Sequence, residues 1–482
     1  MKNKTIEPSI PNEILKALEQ NGFTLLIKGD AGTGKTTLSL EILKFAKSKI
    51  YISSRISPTM IKKQFPWLEN EDIIFIDATQ TFFQEDSITT QIERAIKFRE
   101  MPGFLQKLYE IVKNKDSSTI VVIDSWDAIY NSILEESLES KRIETVLTEM
   151  VRFLKFNLIL ITESNQTSLD YISDGVVELK SEIICNRSKR VIKIKKMRGI
   201  EITQPEYLFS LHQSRFKHFQ RMMEFIPLKK LNNKPPLIKN TKNKLLSYSE
   251  SLNNFFNYGL KRGTISLLEI SEDVGFDYIW VLIPIMINQL QQNHGITLIP
   301  DEGLDFKVIY NVLSRYISQD ILEKYLTFFD FSPTYTEPNE FIKLIRILDY
   351  KKDIEHIYND IKEDMIKKIT ERQNLSQDQI YGGTAFFGSN RFENRFGIEN
   401  IKKYLIVIGE FIKLFKTSRM VYISYFNQKI REIISPMVST HFKIEKICNV
   451  MVIYGERPFA NMHVIIINFD KGYPEINLYP IV

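Results

Sequence analysis

The chain has 482 residues and a mass of 56.6 kDa, too much for one compact domain at roughly 150 residues per domain, so two are expected. It is 43% hydrophobic and 26% charged, a globular composition that excludes a largely disordered, collagen-like or coiled-coil protein. The net charge of +5, from 64 basic and 59 acidic residues, is too mild to imply nucleic-acid binding.

The opening Met1–Glu13 stretch lacks the apolar run of a signal peptide. The longest strongly apolar stretch, Ile279–Ile287, is about half a membrane span, contains Pro284, and reads as buried core. Two distant cysteines, Cys185 and Cys448, permit no disulfide framework, which suits a reducing cytosol. Of the six histidines, the nearest pair, His212 and His218, fits no zinc spacing. A cytoplasmic protein without membrane segments is the expectation.

The sharpest signal comes early. An apolar run over residues 23–27 predicts a buried strand, and a helix-spaced pattern follows from Thr37 to Lys49. Between them, Gly29-Asp30-Ala31-Gly32-Thr33-Gly34-Lys35-Thr36 matches GxxxxGK[ST] in full, with Thr37 behind it. The glycines let the backbone curve around phosphates and aim its N–H groups inward. The following helix N-terminus adds partial positive charge. In this chemistry Lys35 reaches the β- and γ-phosphates of ATP, and the Thr36 hydroxyl binds Mg²⁺. The run Thr119–Asp124 reads as an apolar strand ending in an acid, 88 residues after Thr36. In a parallel sheet Asp124 would emerge beside the phosphate loop and hold the Mg²⁺.

Further strands are predicted at 49–53, 73–77, 158–162, 170–179 and 190–199, with helices around 59–68, 88–113 and 141–155. Such alternation predicts a doubly wound, mostly parallel α/β sheet. The phosphate loop, the Ile-Asp-Ser at 123–125, the Ile172–Leu179 strand and Lys196-Met-Arg198-Gly199, in that order, resemble the KaiC/RadA branch of RecA-like ATPases. Ser53-Ser-Arg-Ile-Ser-Pro58 and the overall length look most like GvpD-type P-loop proteins, archaeal regulators named for gas-vesicle genes. The resemblance implies that Lys196 and Arg198 reach a neighbouring subunit's nucleotide, hence a homo-oligomer. It also implies a glutamate just after the second strand to activate water. This chain has Ser53-Ser54-Arg55 there. Arg55 is a candidate phosphate contact, and Asp77 or Glu163 a candidate replacement acid.

Residues 227–249 hold six lysines, three prolines and no acid, the composition of a linker, with a DNA-contacting tether as alternative. Beyond it, residues 250–482 read as a second, degenerate copy of the domain at 1–226. Gly22 and Gly34 map to Gly263 and Gly275 at offset 241, and later strands map at 247, 253 and 262, an offset that only grows. Phe276-Asp277-Tyr278 replaces Lys35-Thr36-Thr37, and the Asp124 equivalent falls near Gly388, so no nucleotide is expected there. An insertion at 335–374 reads as a helical hairpin, either solvated or a partner-binding arm. The Phe/Arg-rich stretch 382–397 reads as a packed loop, with single-strand stacking as alternative.

The fold class expected is thus tandem RecA-like sheets, the second degenerate. The function expected is a slowly hydrolysing, ATP-binding regulatory switch on a protein partner such as a transcription regulator. The alternative is a RadA-like DNA-dependent ATPase, with nucleic acid a less favoured partner than protein. An autokinase is disfavoured by the degenerate second copy.

Overall fold

The computed structural model describes residues 9–78, 101–116, 118–134, 141–163, 168–221, 233–299, 301–331, 339–349, 351–370, 383–403, 405 and 419–482. The chain divides into two compact units, 1–220 with 481–482, and 221–480.

The first unit is built on a nine-stranded sheet. Its strands are β1 (Thr24–Lys28), β2 (Ser48–Ser53), β3 (Ile74–Asp77), β4 (Thr119–Asp124), β5 (Asn157–Thr162), β6 (Gly175–Ile184), β7 (Arg187–Met197), β8 (Glu206–Ser210) and β9 (Lys217–Phe219). The spatial order is β3-β2-β4-β5-β1-β6-β7-β8-β9. The strands from β3 to β6 pair in parallel, and β6 to β9 run antiparallel. Alternate residues of the apolar strands point to opposite faces, as the pleat requires. Leu25, Ile27, Val122, Ile159 and Ile161 face a core with α1 (Asn12–Leu18), α2 (Lys35–Leu43) and α3 (Pro58–Gln64). Leu26, Ile50, Ile52, Val121, Ile123 and Leu160 face a second core with α4 (Met101–Val112), α5 (Trp126–Leu134) and α6 (Lys141–Leu154). Near-continuous apolar runs in the strands are what burial on both faces demands.

The second unit carries a two-stranded ribbon, β10 (Lys244–Leu245) with β11 (Leu260–Lys261), and a ten-stranded sheet. That sheet comprises β12 (Ile265–Ile270), β13 (Ile296–Ile299), β14 (Leu326–Asp330), β15 (Ile345–Ile347), β16 (Thr384–Gly388), β17 (Arg419–Tyr425), β18 (Thr440–Ile447), β19 (Val450–Arg457), β20 (Phe459–Asn468) and β21 (Glu475–Pro480). Its order, β15-β14-β13-β16-β17-β12-β18-β19-β20-β21, repeats that of the first sheet strand for strand, with β15 added at one edge. The fold is therefore α/β, two RecA-like sheets in tandem.

Register fixes the correspondence residue by residue. Ile27 pairs with Ile161, and Ile161 with Asp124. Leu268 pairs with Ile423, and Ile423 with Gly388. The offsets are 268 − 27 = 241, 423 − 161 = 262 and 388 − 124 = 264. Gly388 thus stands where Asp124 does. The offset does not only grow: it reaches 264 at β16 and steps back to 262 at β17, because loops are shortened as well as lengthened between the copies.

Several local expectations are corrected. Residues 170–172 belong to a short helix, α7 (Leu169–Ile172), and β6 begins only at Gly175. The α7 carbonyls of Asp170 and Tyr171, and that of Ser173, accept hydrogen bonds from Lys196 Nζ, which holds the turn. The linker composition of 227–249 does not make its described part a free tether. Ile238 N–H donates to Asn288 Oδ1 (2.9 Å), Asn240 N–H to Gln292 Oε1 (2.9 Å), and Leu246 O accepts from Asn288 and Gln289, all on the helix Ile279–Gln291 or, for Gln292, the residue that caps it. Extended backbone with several prolines finds its hydrogen bonds on amide side chains instead of a strand neighbour. The described part of the 335–374 insertion is mostly helical but is no simple hairpin, since Ile345–Ile347 is an edge strand parallel to β14. Nor is its helix Ile354–Thr370 a free arm, since Ile354, Ile357 and Ile361 are buried in the core of the unit. The 383–397 stretch forms central strand β16 and the helix Asn390–Phe396, with Phe386, Phe387 and Phe392 fully or almost fully buried. Residues 88–100 of the helix expected at 88–113 lie outside the described residues. Among the described residues no helix is long and apolar enough to cross a membrane.

Candidate functional site

The site forms at the carboxyl ends of β1, β4 and β5, where a doubly wound sheet opens a crevice. Gly29 leaves β1 with φ 150°, and a Cβ there would lie 2.4 Å from the Leu179 carbonyl oxygen. Only glycine lets the backbone pass that strand. Asp30, Ala31 and Gly32 are exposed, and Thr33 turns back, its Oγ1 donating to the Asp30 carbonyl (2.8 Å). Gly34, at φ 99°, caps α2 in the left-handed region, and Leu211 packs so close that a Cβ would sit 2.9 Å from its methyl groups. Helix α2 then starts at Lys35, with Thr37 buried in its first turn, so the free N–H groups of its first turn border the loop.

The Lys35 ammonium, largely buried, donates to the Gly29 and Asp30 carbonyls at 2.6 and 2.8 Å. Burial lowers its pKa, opposed by the carboxylates of Glu163, Asp124 and Asp127 and assisted by Arg55. Thr36 Oγ1 donates to Asp124 Oδ2 at 2.6 Å, and Tyr51 Oη donates to the same oxygen at 2.5 Å. Tyr51 is fully buried, and that burial with the Asp124 charge beside it pushes its hydroxyl well above the ordinary range.

The backbone cradle and the convergence of a hydroxyl with a carboxylate fit the phosphates and Mg²⁺ of a nucleotide. Lys35 and the α2 N-terminus could hold the phosphates, and Thr36 with Asp124 the cation. Among the described residues no group of three or more His, Cys, Asp or Glu could hold a metal by itself. A single hydroxyl and a single acid suit an ion whose other ligands are phosphate and water.

Two supports hold the rim. Ser54 N–H donates to the Asp124 carbonyl (2.8 Å), and its Oγ both donates to Ser125 O (2.9 Å) and accepts from Ser125 N–H (2.8 Å). This ties the turn after β2 to the tip of β4. Asp127 accepts from Thr162 Oγ1 and from Glu163 N–H, both at 2.6 Å, and so fixes the tip of β5. Between these tips, Arg55 Nη1 meets Glu163 Oε1 at 2.7 Å, both side chains partly exposed. Arg190 on β7 donates from Nη1 to the Gly32 carbonyl (3.1 Å), a second cation on the loop.

The phosphate loop and Asp124 meet through Thr36, and Arg55 lies on the neighbouring turn, paired with Glu163. Lys196 and Arg198 do not join them. Gly175 pairs with Leu25 at the start of β1 and with Met197, so both cations lie at the opposite end of the sheet. There Lys196 binds three carbonyls and Arg198 binds Asp174 at 2.9 Å. Of the replacement acids, Glu163 acts on the Lys35 charge, while Asp77 ends β3 beyond Ser53, mostly buried. Sequence reasoning missed Tyr51, Asp127 and Arg190. Asp127 stands three residues after Asp124, in the first turn of α5, and could have been found; Tyr51 and Arg190 look like ordinary strand residues.

In the second unit the equivalent segment is a short 3₁₀ turn, Glu272–Val274, and the helix begins at Ile279, three residues later than Lys35 would map (35 + 241 = 276). Asp277 pairs with Lys446 (3.0 Å), and the buried Tyr278 donates to Asp301 Oδ2 (2.8 Å).

Comparison with known proteins agrees with this geometry. Residues 17–197 match the model of the GvpD gas vesicle protein P-loop domain. Protein GvpD1 of Halobacterium salinarum is 26% identical over 332 residues, which cover 66% of this chain and 60% of GvpD1. Protein GvpD2 of the same organism is 24% identical, covering 68% of each chain. The circadian clock oscillator protein KaiC of Rippkaea orientalis is 24% identical over 206 residues, 39% of each chain. The match spans less than two thirds of the length of GvpD1. It is nevertheless longer than the first unit, so the likeness to GvpD reaches into the second. The first unit is a P-loop domain of the KaiC/RecA type, and it resembles that of GvpD.

Proposed function

We propose that this chain is a cytoplasmic Mg·ATP-binding switch, slow in hydrolysis, whose nucleotide state sets its affinity for a protein partner in the control of gene expression. One observation carries the reading: a complete phosphate loop with Thr36 and Asp124 converged at 2.6 Å, beside a turn that presents Arg55 instead of a carboxylate. When bound, Mg²⁺ would supply charge stabilisation to the phosphates. Lys35 and the α2 N–H groups would bind them, and Tyr51 would hold the Asp124 carboxylate in place. The site has no acid in its usual place for taking a proton from water, so turnover is limited while binding is not. The likeness to GvpD supports the regulatory half of the reading, and the likeness to KaiC supports assembly with further copies, through which Lys196 and Arg198 could reach a nucleotide.

The test is Mg·ATP binding and phosphate release by the purified protein and by Lys35→Ala, with the mass in solution measured with and without nucleotide. Binding that is lost in the variant, with turnover well below about 1 s⁻¹, is expected. Turnover at ordinary enzyme rates would sink the switch reading.

A further inference from the structure

We propose that the Arg55–Glu163 ion pair is a latch that a γ-phosphate opens: Arg55 exchanges the Glu163 carboxylate for the terminal phosphate, and the freed Glu163 becomes the proton acceptor for attacking water. The inference rests on the nucleotide reading of the site. Both partners sit on pinned supports at the same rim. Arg55 is carried by a turn in which Ser53 Oγ bonds the Ile56 carbonyl and Ser54 is clamped to Ser125. Glu163 is carried by a β5 tip that Asp127 holds through two hydrogen bonds. Register places both at the phosphate end of the sheet: Thr162, just before Glu163, pairs with Lys28 at the end of β1, and Ser53, two residues before Arg55, pairs with Asp124.

Two features make the pair exchangeable. Its side chains are 44% and 39% exposed, and an ion pair so wetted is weak. A phosphate oxygen offers the guanidinium a more highly charged acceptor than one carboxylate, in the geometry guanidinium prefers. Two features make the exchange consequential. The hydrogen bond from Arg55 holds the Glu163 carboxyl below the ordinary carboxylate range, so the paired Glu163 is a poor base. And the turn after β2 offers no competing acid.

Once released, Glu163 takes the proton of water as the water oxygen bonds to phosphorus. The bond from phosphorus to the bridging oxygen then breaks, leaving ADP and inorganic phosphate. Diphosphate leaves the pair closed, so the latch distinguishes the two nucleotide states without an acid at the 53–55 turn.

The experiment measures binding of Mg·ADP and of a non-hydrolysable Mg·ATP analogue to the full chain, with phosphate release from ATP. Arg55→Ala is expected to weaken the analogue about tenfold and ADP less than about twofold, with Arg55→Lys between. Glu163→Gln is expected to tighten the analogue a few-fold, because the competing carboxylate is gone, and to lower phosphate release at least about tenfold. Equal weakening of both nucleotides in Arg55→Ala, or unchanged release in Glu163→Gln, overturns the latch. If the unaltered protein binds neither nucleotide while folded, the reading of the site fails and the latch with it. Melting temperatures of the variants separate misfolding from lost contacts, both positions being at the surface.

Discussion

Gly29 shows how little room one residue has in this loop. Its φ of 150° lies where side chains are strained, and the obstacle to a Cβ is a backbone carbonyl, Leu179 O at 2.4 Å. A carbonyl inside a sheet cannot move aside as a flexible side chain can. Gly29→Ala is therefore expected to lose nucleotide binding and to destabilise the first unit by roughly 2–4 kcal/mol. Gly34 differs: its obstacle is the Leu211 side chain, which can rotate, so only the cost of φ 99° remains, about 1–2 kcal/mol. Urea melts of the two variants should rank them in that order. Equal melts would mean that the β6 carbonyl yields. The phosphate loop was fully legible in the sequence because each of its residue types answers a local backbone need. Tyr51 was not, because its hydroxyl meets Asp124 only through the pairing of β2 with β4, 73 residues apart.

The helix N-terminus after β12 makes the contrast at the level of an element. Where the first unit has a loop open to phosphate, the second places Tyr278 against Asp301, a carboxyl with no solvent exposure. Burial pushes Asp301 up to about 7 from 3.8, although the Tyr278 hydrogen bond, a second from Asn390 and the Arg391 charge oppose it. A carboxyl raised in the fold favours folding below its unfolded pKa. That contribution is lost as pH rises through the folded value, between about 4 and 7. The shift of about three units corresponds to on the order of 4 kcal/mol. The denaturant midpoint of the second unit should therefore fall from pH 5 to pH 8, and Asp301→Asn should flatten that fall. An unchanged slope in the variant would mean that Asp301 is ionised throughout. No sequence pattern marked this residue, since its neutral state depends on what Tyr278 and β13 bring around it. The composition of 227–249 misled for a related reason: lysines and prolines indicate exposure, but not where the backbone finds its partners.

The two units repeat one topology, and the sequence carried more of that repeat than the glycine spacing used to find it. Cys185-Asn186 and Cys448-Asn449 both occupy two-residue turns with positive φ, joining β6 to β7 and β18 to β19. Each follows an isoleucine, and their offset is 448 − 185 = 263. Tight hairpins of this kind need two residues that tolerate left-handed backbone, which explains the asparagine. The repeat extends to the scaffold and stops at the chemistry, and this sets the stoichiometry. Each chain is expected to bind one nucleotide, and Lys35→Ala none. Restoring the loop residues with Phe276→Lys and Asp277→Thr should still leave one. The helix there begins only at Ile279, a 3₁₀ turn fills the place of the loop, and Gly388 offers no carboxylate where Asp124 would stand. A lysine at 276 would meet a helix start already occupied by Tyr278 and Asp301, without the N–H cradle that gives the first site its affinity. Calorimetric titration with Mg·ATP reads the number directly. A second equivalent in the double variant would show that the lost side chains alone, and not the backbone around them, closed the second site.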